Sequence, residues 1–83
     1  MKECKRVKGC ISLIPKRHEN SLIWLHGLGD SADGFLPIFL DPALDPSLAT
    51  TKVILPTASS KPVTINNHYA MPSWYDIYSL TPN

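Results

Sequence analysis

Within these 83 residues the stretch Leu22-Ile23-Trp24-Leu25-His26-Gly27-Leu28-Gly29-Asp30-Ser31-Ala32-Asp33-Gly34-Phe35 holds the residue types best suited to chemistry. An apolar run ends on a histidine and opens into glycines separated by one residue. Main-chain N–H groups in such a turn can face open space and hold negative charge, either a phosphate or an oxyanion. A phosphate reading has formal support, because Gly27 to Ala32 fits G-x-G-x-x-[GA] between a strand and a helix, the dinucleotide fingerprint. It meets two objections. The second strand should end on an acidic residue that holds a ribose, but Leu55 is followed by Pro56-Thr57-Ala58. Asp30 also places negative charge where a pyrophosphate would dock, and the Walker A pattern does not occur.

The oxyanion reading uses the same residues differently. In α/β-hydrolases a backbone N–H from the loop after an early strand helps to hold the tetrahedral oxyanion, and that loop often begins with His-Gly. One such donor contributes roughly 10²–10³ in rate. Leu28 is the residue whose N–H would point in. His26, ending the strand, would brace the loop by hydrogen bonds, with Gly27, Gly29 and Asp30 supporting it.

Elements that position this turn are readable on both sides. Val7, Gly9, Ile11 and Leu13 share one parity and predict a half-buried strand ended by Pro15. Leu22 to Leu25 is apolar on both parities, as in a strand covered on both faces, and Val53-Ile54-Leu55 forms a second such run. Between them a short helix is expected near Asp33 to Leu40, capped by Ser31 or Asp33, with Phe35, Ile38 and Phe39 as its buried stripe. Pro37 suits only a first turn, which blurs the helix start. Strand, crossover and strand make a βαβ unit. After Pro56, residues Val63 to Ala70 alternate as a short strand or extended loop. One helix cannot cover both faces of a parallel pair, so an apolar sheet edge should stay open.

Composition excludes several classes. The chain is 43% hydrophobic and 18% charged with a net charge of +1, which marks neither a disordered tail nor a nucleic-acid binder. Eight prolines, about twice the usual ~5%, predict short elements and many loops. Six of the eight basic residues (Lys2, Lys5, Arg6, Lys8, Lys16 and Arg17) precede residue 20. They fit a solvated edge strand better than a binding arm, since no aromatic residue interleaves them. On a single extended strand Cys4 and Cys10 would sit roughly 20 Å apart, beyond disulfide reach. With no apolar leader, two free thiols point to the cytoplasm. Cys4, Cys10 and His18 do not have zinc-ligand spacing.

Two blocks carry a family resemblance. The stretch from Leu22 to Phe35 resembles the opening motif of the acyl-protein thioesterases, the phospholipase/carboxylesterase group of α/β-hydrolases. Lys52 to Leu80 (KVILPTASSKPVTINNHYAMPSWYDIYSL) is similar to that family's next strand, its Pro-x-Ala-Pro turn, its Pro-Val-Thr-x-Asn segment and its Met-x-Ser-Trp-[Phe/Tyr]-Asp stretch. Ser59 departs from it, standing where the family has proline. The resemblance implies a mostly parallel sheet with flanking helices, of which residues 1–83 would be the N-terminal part. It implies a serine hydrolase of long-chain acyl thioesters and esters that needs no cofactor and acts on S-acylated proteins or lysophospholipids, with transient membrane contact left open. It places Leu28 in the oxyanion hole, puts Trp74 near the acyl-binding side and lets Asp76 fix its loop.

The Ser-Asp-His triad is expected to lie outside these residues. No serine after Gly34 has flanking glycines, and no histidine follows His68. A set improvised from Ser31, Asp45 and His68 would lack an elbow to expose its serine. The chain alone should therefore not turn over substrate. The alternative is a non-catalytic short paralogue that binds an acyl chain or a protein.

Overall fold

The computed structural model describes residues 2–79. Strands β1 (Glu3–Val7), β2 (Cys10–Ile14), β3 (Asn20–Ile23) and β4 (Thr51–Pro56) form one sheet in the order β1-β2-β4-β3. β3 and β4 run parallel, with Leu22 beside Val53, while β1–β2 and β2–β4 are antiparallel. Helix α1 (Ala32–Phe39) connects the parallel pair, as the two apolar runs predict. β5 (Ser60–Val63) and β6 (Tyr69–Pro72) form a separate antiparallel pair. No helix among the described residues is long and apolar enough to cross a membrane.

The single strand expected over Val7 to Leu13 is two strands. Lys8 and Gly9 both have positive φ (28° and 71°) and close a two-residue hairpin, the backbone that matches strand twist in such loops. Val7 pairs with Cys10 and so takes the face opposite Ile11 and Leu13. It is exposed while they are buried, because the turn shifts the side-chain parity. Cys4 lies opposite Leu13 and Cys10 opposite Val7, and both thiols are free. Of the six basic residues before residue 20, Lys5 and Arg6 lie on the exposed edge strand β1, and Arg6 pairs with Asp33 of α1 at 2.8 Å.

Ile11, Leu13, Val53 and Leu55 pack against Ala32 and Phe39 to make the core. The helical stripe is Ala32, Phe35, Leu36 and Phe39, at i, i+3, i+4 and i+7. Ile38, expected within it, is 53% exposed. Ser31 stands at the N-cap in extended conformation but makes no side-chain cap. Thr57, just past β4, caps instead: its Oγ1 accepts the Ala32 N–H at 2.8 Å. The Thr57 N–H meanwhile donates to Gly9 O, so one threonine ties the β1–β2 hairpin, β4 and α1 together. Pro37 is the sixth residue of α1, where the helix forgoes one interior hydrogen bond shortly before its end at Phe39. The Val63–Ala70 stretch is β5's last residue, a 3-10 turn over Thr64–Asn66, two left-handed residues (Asn67 and His68) and the start of β6.

β3 is an edge strand, and α1 covers one face only. Ile23 and Leu25, expected to be buried, are 62% and 58% exposed beside β3's unpaired backbone. Such an edge templates pairing with another chain. The purified 83-residue chain is expected to self-associate in concentration-dependent sedimentation, and the double variant Ile23→Lys/Leu25→Lys to sediment as a monomer. A monodisperse unmodified chain would count against an active edge.

Candidate functional site

The turn after β3 lies at the carboxyl ends of the two parallel strands. The Trp24 N–H still reaches Ile54 O of β4 at 2.9 Å, and pairing stops there. Two residues on, His26 turns inward and is only 4% exposed. Its Nε2 lies 2.9 Å from the Ala58 N of the segment after β4. That amide can only donate, so Nε2 accepts and the ring proton sits on Nδ1. Nδ1–H then donates to Gly27 O at 2.6 Å. The same carbonyl receives the Asp30 N–H at 3.1 Å, closing a four-residue turn over Gly27 to Asp30. Gly29 occupies its third position with φ +80°, the value a type II turn demands there.

Those two bonds pin one peptide unit. Gly27 C=O and Leu28 N–H belong to the same planar trans peptide, so a carbonyl held inward turns the N–H outward. Among the described residues the Leu28 N–H has no hydrogen-bond partner, and Leu28 is 43% exposed. Unusual backbone angles are a property of Gly29. At Gly27 φ is not positive, and a Cβ would meet nothing within 4 Å, so sterics within this chain do not require glycine there.

Asp30 supports the turn from the helix side. Its Oδ1 accepts the Ser31 N–H at 2.8 Å. A Cβ on Gly34 would lie 2.2 Å from that oxygen, so the close approach of the carboxylate depends on glycine.

Residues 72–76 close over the other side. Trp74 stacks on His26 with centroids 4.9 Å apart, and its Nε1–H donates to His26 O at 2.9 Å. The Gly29 N–H donates to Pro72 O at 2.9 Å. Ser73, 2% exposed, donates its N–H to Ser59 O, and its carbonyl accepts from Lys61 Nζ. Its hydroxyl donates to Tyr75 O. The Ser59 N–H has no partner among the described residues, so a proline there would lose no hydrogen bond. Asp76 takes the Thr64 N–H and hydroxyl and the Ile77 N–H. These hydrogen bonds, Thr64's above all, hold its carboxyl below the usual carboxylate range.

Leu28, His26, Gly27, Gly29, Asp30 and Trp74 thus come together, although Trp74 lies about 50 residues downstream of the turn. Ser31, Asp45 and His68 do not: no hydrogen bond joins any two of them among the described residues. Thr57, Ala58, Pro72 and Ser73 are the contributors that the sequence reading passed over. Their signal was positional, since each ends a strand or lies within two residues of a strand's end at this side. A groove of about 430 Å³ between Leu13, Phe39, Leu40 and Pro42 lies at the C-terminal end of α1, away from the turn.

The fold is the N-terminal part of an α/β-hydrolase fold. Residues 10–83 match the phospholipase/carboxylesterase family, and the chain belongs to it. It is 45% identical over 71 residues to acyl-protein thioesterase 1 of Cryptococcus neoformans, covering 84% of this chain and 29% of that protein. Acyl-protein thioesterase 1 of Schizosaccharomyces pombe is 47% identical over 63 residues, or 76% of this chain and 27% of that one. The crystal structure of Zea mays acyl-protein thioesterase 2 superposes with a TM-score of 0.73 at 31% identity, covering 87% of this chain and 30% of the other. The chain thus spans less than a third of the length of these relatives.

Replacing His26 by Ala orphans the buried Ala58 N–H and frees Gly27 O. In the Ile23→Lys/Leu25→Lys background, His26→Ala is expected to lower unfolding free energy by about 1–3 kcal/mol in denaturant titration. A change under half a kcal/mol would mean that the imidazole holds nothing.

Proposed function

We propose that these residues supply the oxyanion-hole loop of a serine hydrolase that cleaves long-chain acyl thioesters and esters, S-acylated proteins and lysophospholipids among them. The observation that supports this reading is the Leu28 N–H, left without a partner on an exposed turn whose carbonyl is held on the other side. The fold, the family and the names of the relatives agree with it.

In that reaction a serine Oγ attacks the acyl carbonyl carbon, and the C=O π pair moves onto oxygen. The Leu28 N–H donates to that oxygen as charge develops, in a site where the donor needs no reorganisation. His26, Gly27, Gly29 and Asp30 hold the turn. The half-exposed Trp74 lies toward the acyl side. Collapse of the tetrahedral species expels the thiol, and water then hydrolyses the acyl-serine. The serine, aspartate and histidine come from outside these 83 residues. On its own the chain is inactive, because an oxyanion hole without a nucleophile has no tetrahedral species to stabilise. No cofactor enters, and the free cysteines suit a cytoplasmic setting.

A hybrid in which this chain replaces the matching segment of the S. pombe relative tests the reading. The hybrid is expected to hydrolyse a palmitoyl thioester, and Leu28→Pro, which removes the N–H along with the leucine side chain, to lower kcat/KM by roughly 10²–10³ relative to Leu28→Ala, which keeps the N–H, while the melting temperature holds. A Leu28→Pro hybrid within threefold of the Leu28→Ala hybrid would contradict it.

A further inference from the structure

Two hydrogen bonds from one short segment reach the oxyanion turn on either side of Leu28. Pro72 O accepts the Gly29 N–H, one residue after Leu28, and Trp74 Nε1–H donates to His26 O, two residues before it, each at 2.9 Å. We infer that Pro72–Trp74 is a second clamp on the turn, with the Trp74 indole a positioning group that acts through His26. The inference rests on the role proposed above for the Leu28 amide and adds a determinant of its direction.

The first clamp acts on one atom, Gly27 O, and leaves the turn free to pivot about it. Rotation of the Gly27–Leu28 peptide would swing the carbonyl into the place of the N–H. Such a rotation must also move the flanking backbone, and the flanks are what Pro72 and Trp74 hold. The indole ring packs on the imidazole at 4.9 Å with planes 32° apart, so it further limits tilting of the ring that donates to Gly27 O.

The clamp is itself held from the β5 side. Ser73 lies between its two arms, and its main chain is fixed by Ser59 O and by Lys61 Nζ at 3.1 and 2.7 Å. Asp76 ties the following residues to Thr64 through both its oxygens. Trp74 is 39% exposed, unlike a core residue, and its one polar atom is spent on the main chain. An indole serving only as apolar wall needs no such bond.

The test uses Trp74→Phe, which keeps an aromatic face and removes the N–H, with Trp24→Phe as control because Trp24 packs on Phe35 and Phe39 instead. In the 83-residue chain, Trp74→Phe is expected to speed amide exchange at Gly29 by about tenfold and leave the β4 amides Val53 and Leu55 unchanged. Trp24→Phe should leave Gly29 unchanged. Unaltered Gly29 exchange, or acceleration spread evenly over β4, would overturn the clamp. In the hybrid hydrolase, Trp74→Phe should lower kcat by about tenfold for acetyl and palmitoyl thioesters alike at constant KM. A KM increase confined to the palmitoyl substrate would overturn it in favour of an acyl wall. An inactive parent hybrid would count against the hydrolase reading, and amide exchange would still decide the clamp.

Discussion

The site depends on how Gly27 O is held. His26 Nδ1–H and the Asp30 N–H both converge on this carbonyl, and the planarity of its peptide carries the constraint across to the Leu28 N–H. Each neighbouring feature makes that arrangement available. The Ala58 N–H fixes which imidazole nitrogen carries the proton. Gly29 accepts the left-handed angle that lets Asp30 return to Gly27, and Gly34 leaves room for the Asp30 carboxylate. A side chain two residues from the amide therefore sets its direction through main-chain atoms.

The sheet brings these groups within reach. Parallel pairing of β3 with β4 places the residues after Ile23 beside those after Pro56, so His26 meets Ala58 across a gap of 32 residues. Thr57 joins that junction to the tip of the β1–β2 hairpin and to the first turn of α1. The helix start and the Gly27–Asp30 turn consequently share one support. The β5–β6 pair brings Pro72 and Trp74 over the turn from the other side. The same architecture leaves β3 with an unpaired edge and exposed Ile23 and Leu25 among the described residues.

The βαβ unit was legible because Leu22–Leu25 and Val53–Leu55 are short apolar runs ended by His-Gly and by proline. The turn was legible because glycines follow a buried histidine. The hairpin was not: alternation runs on through Lys8-Gly9, and a lysine at positive φ carries no turn signal of its own. The helix cap was hidden for a different reason. Ser31 has the preferred residue type and the N-cap position, yet the bond comes from Thr57, which sequence proximity cannot reveal. Ile38 was placed on the wrong face because Phe35, Ile38 and Phe39 also have helical spacing, and only contact with Leu13 and Leu55 shows which stripe faces the core. Within the site, Leu28 and its supports could be named from the resemblance. The use of Trp74 as a main-chain donor could not, because it depends on how β6 approaches the turn.

The most direct measurement is the crystal structure of the thioesterase hybrid with its serine trapped as a tetrahedral phosphonate adduct. The account predicts the Leu28 nitrogen at about 2.7–3.1 Å from the adduct oxygen, the spacing of an oxyanion-hole donor, with Gly27 O still on His26 Nδ1. An adduct oxygen that is met by other donors, with the Leu28 N–H turned away from it, would contradict the account.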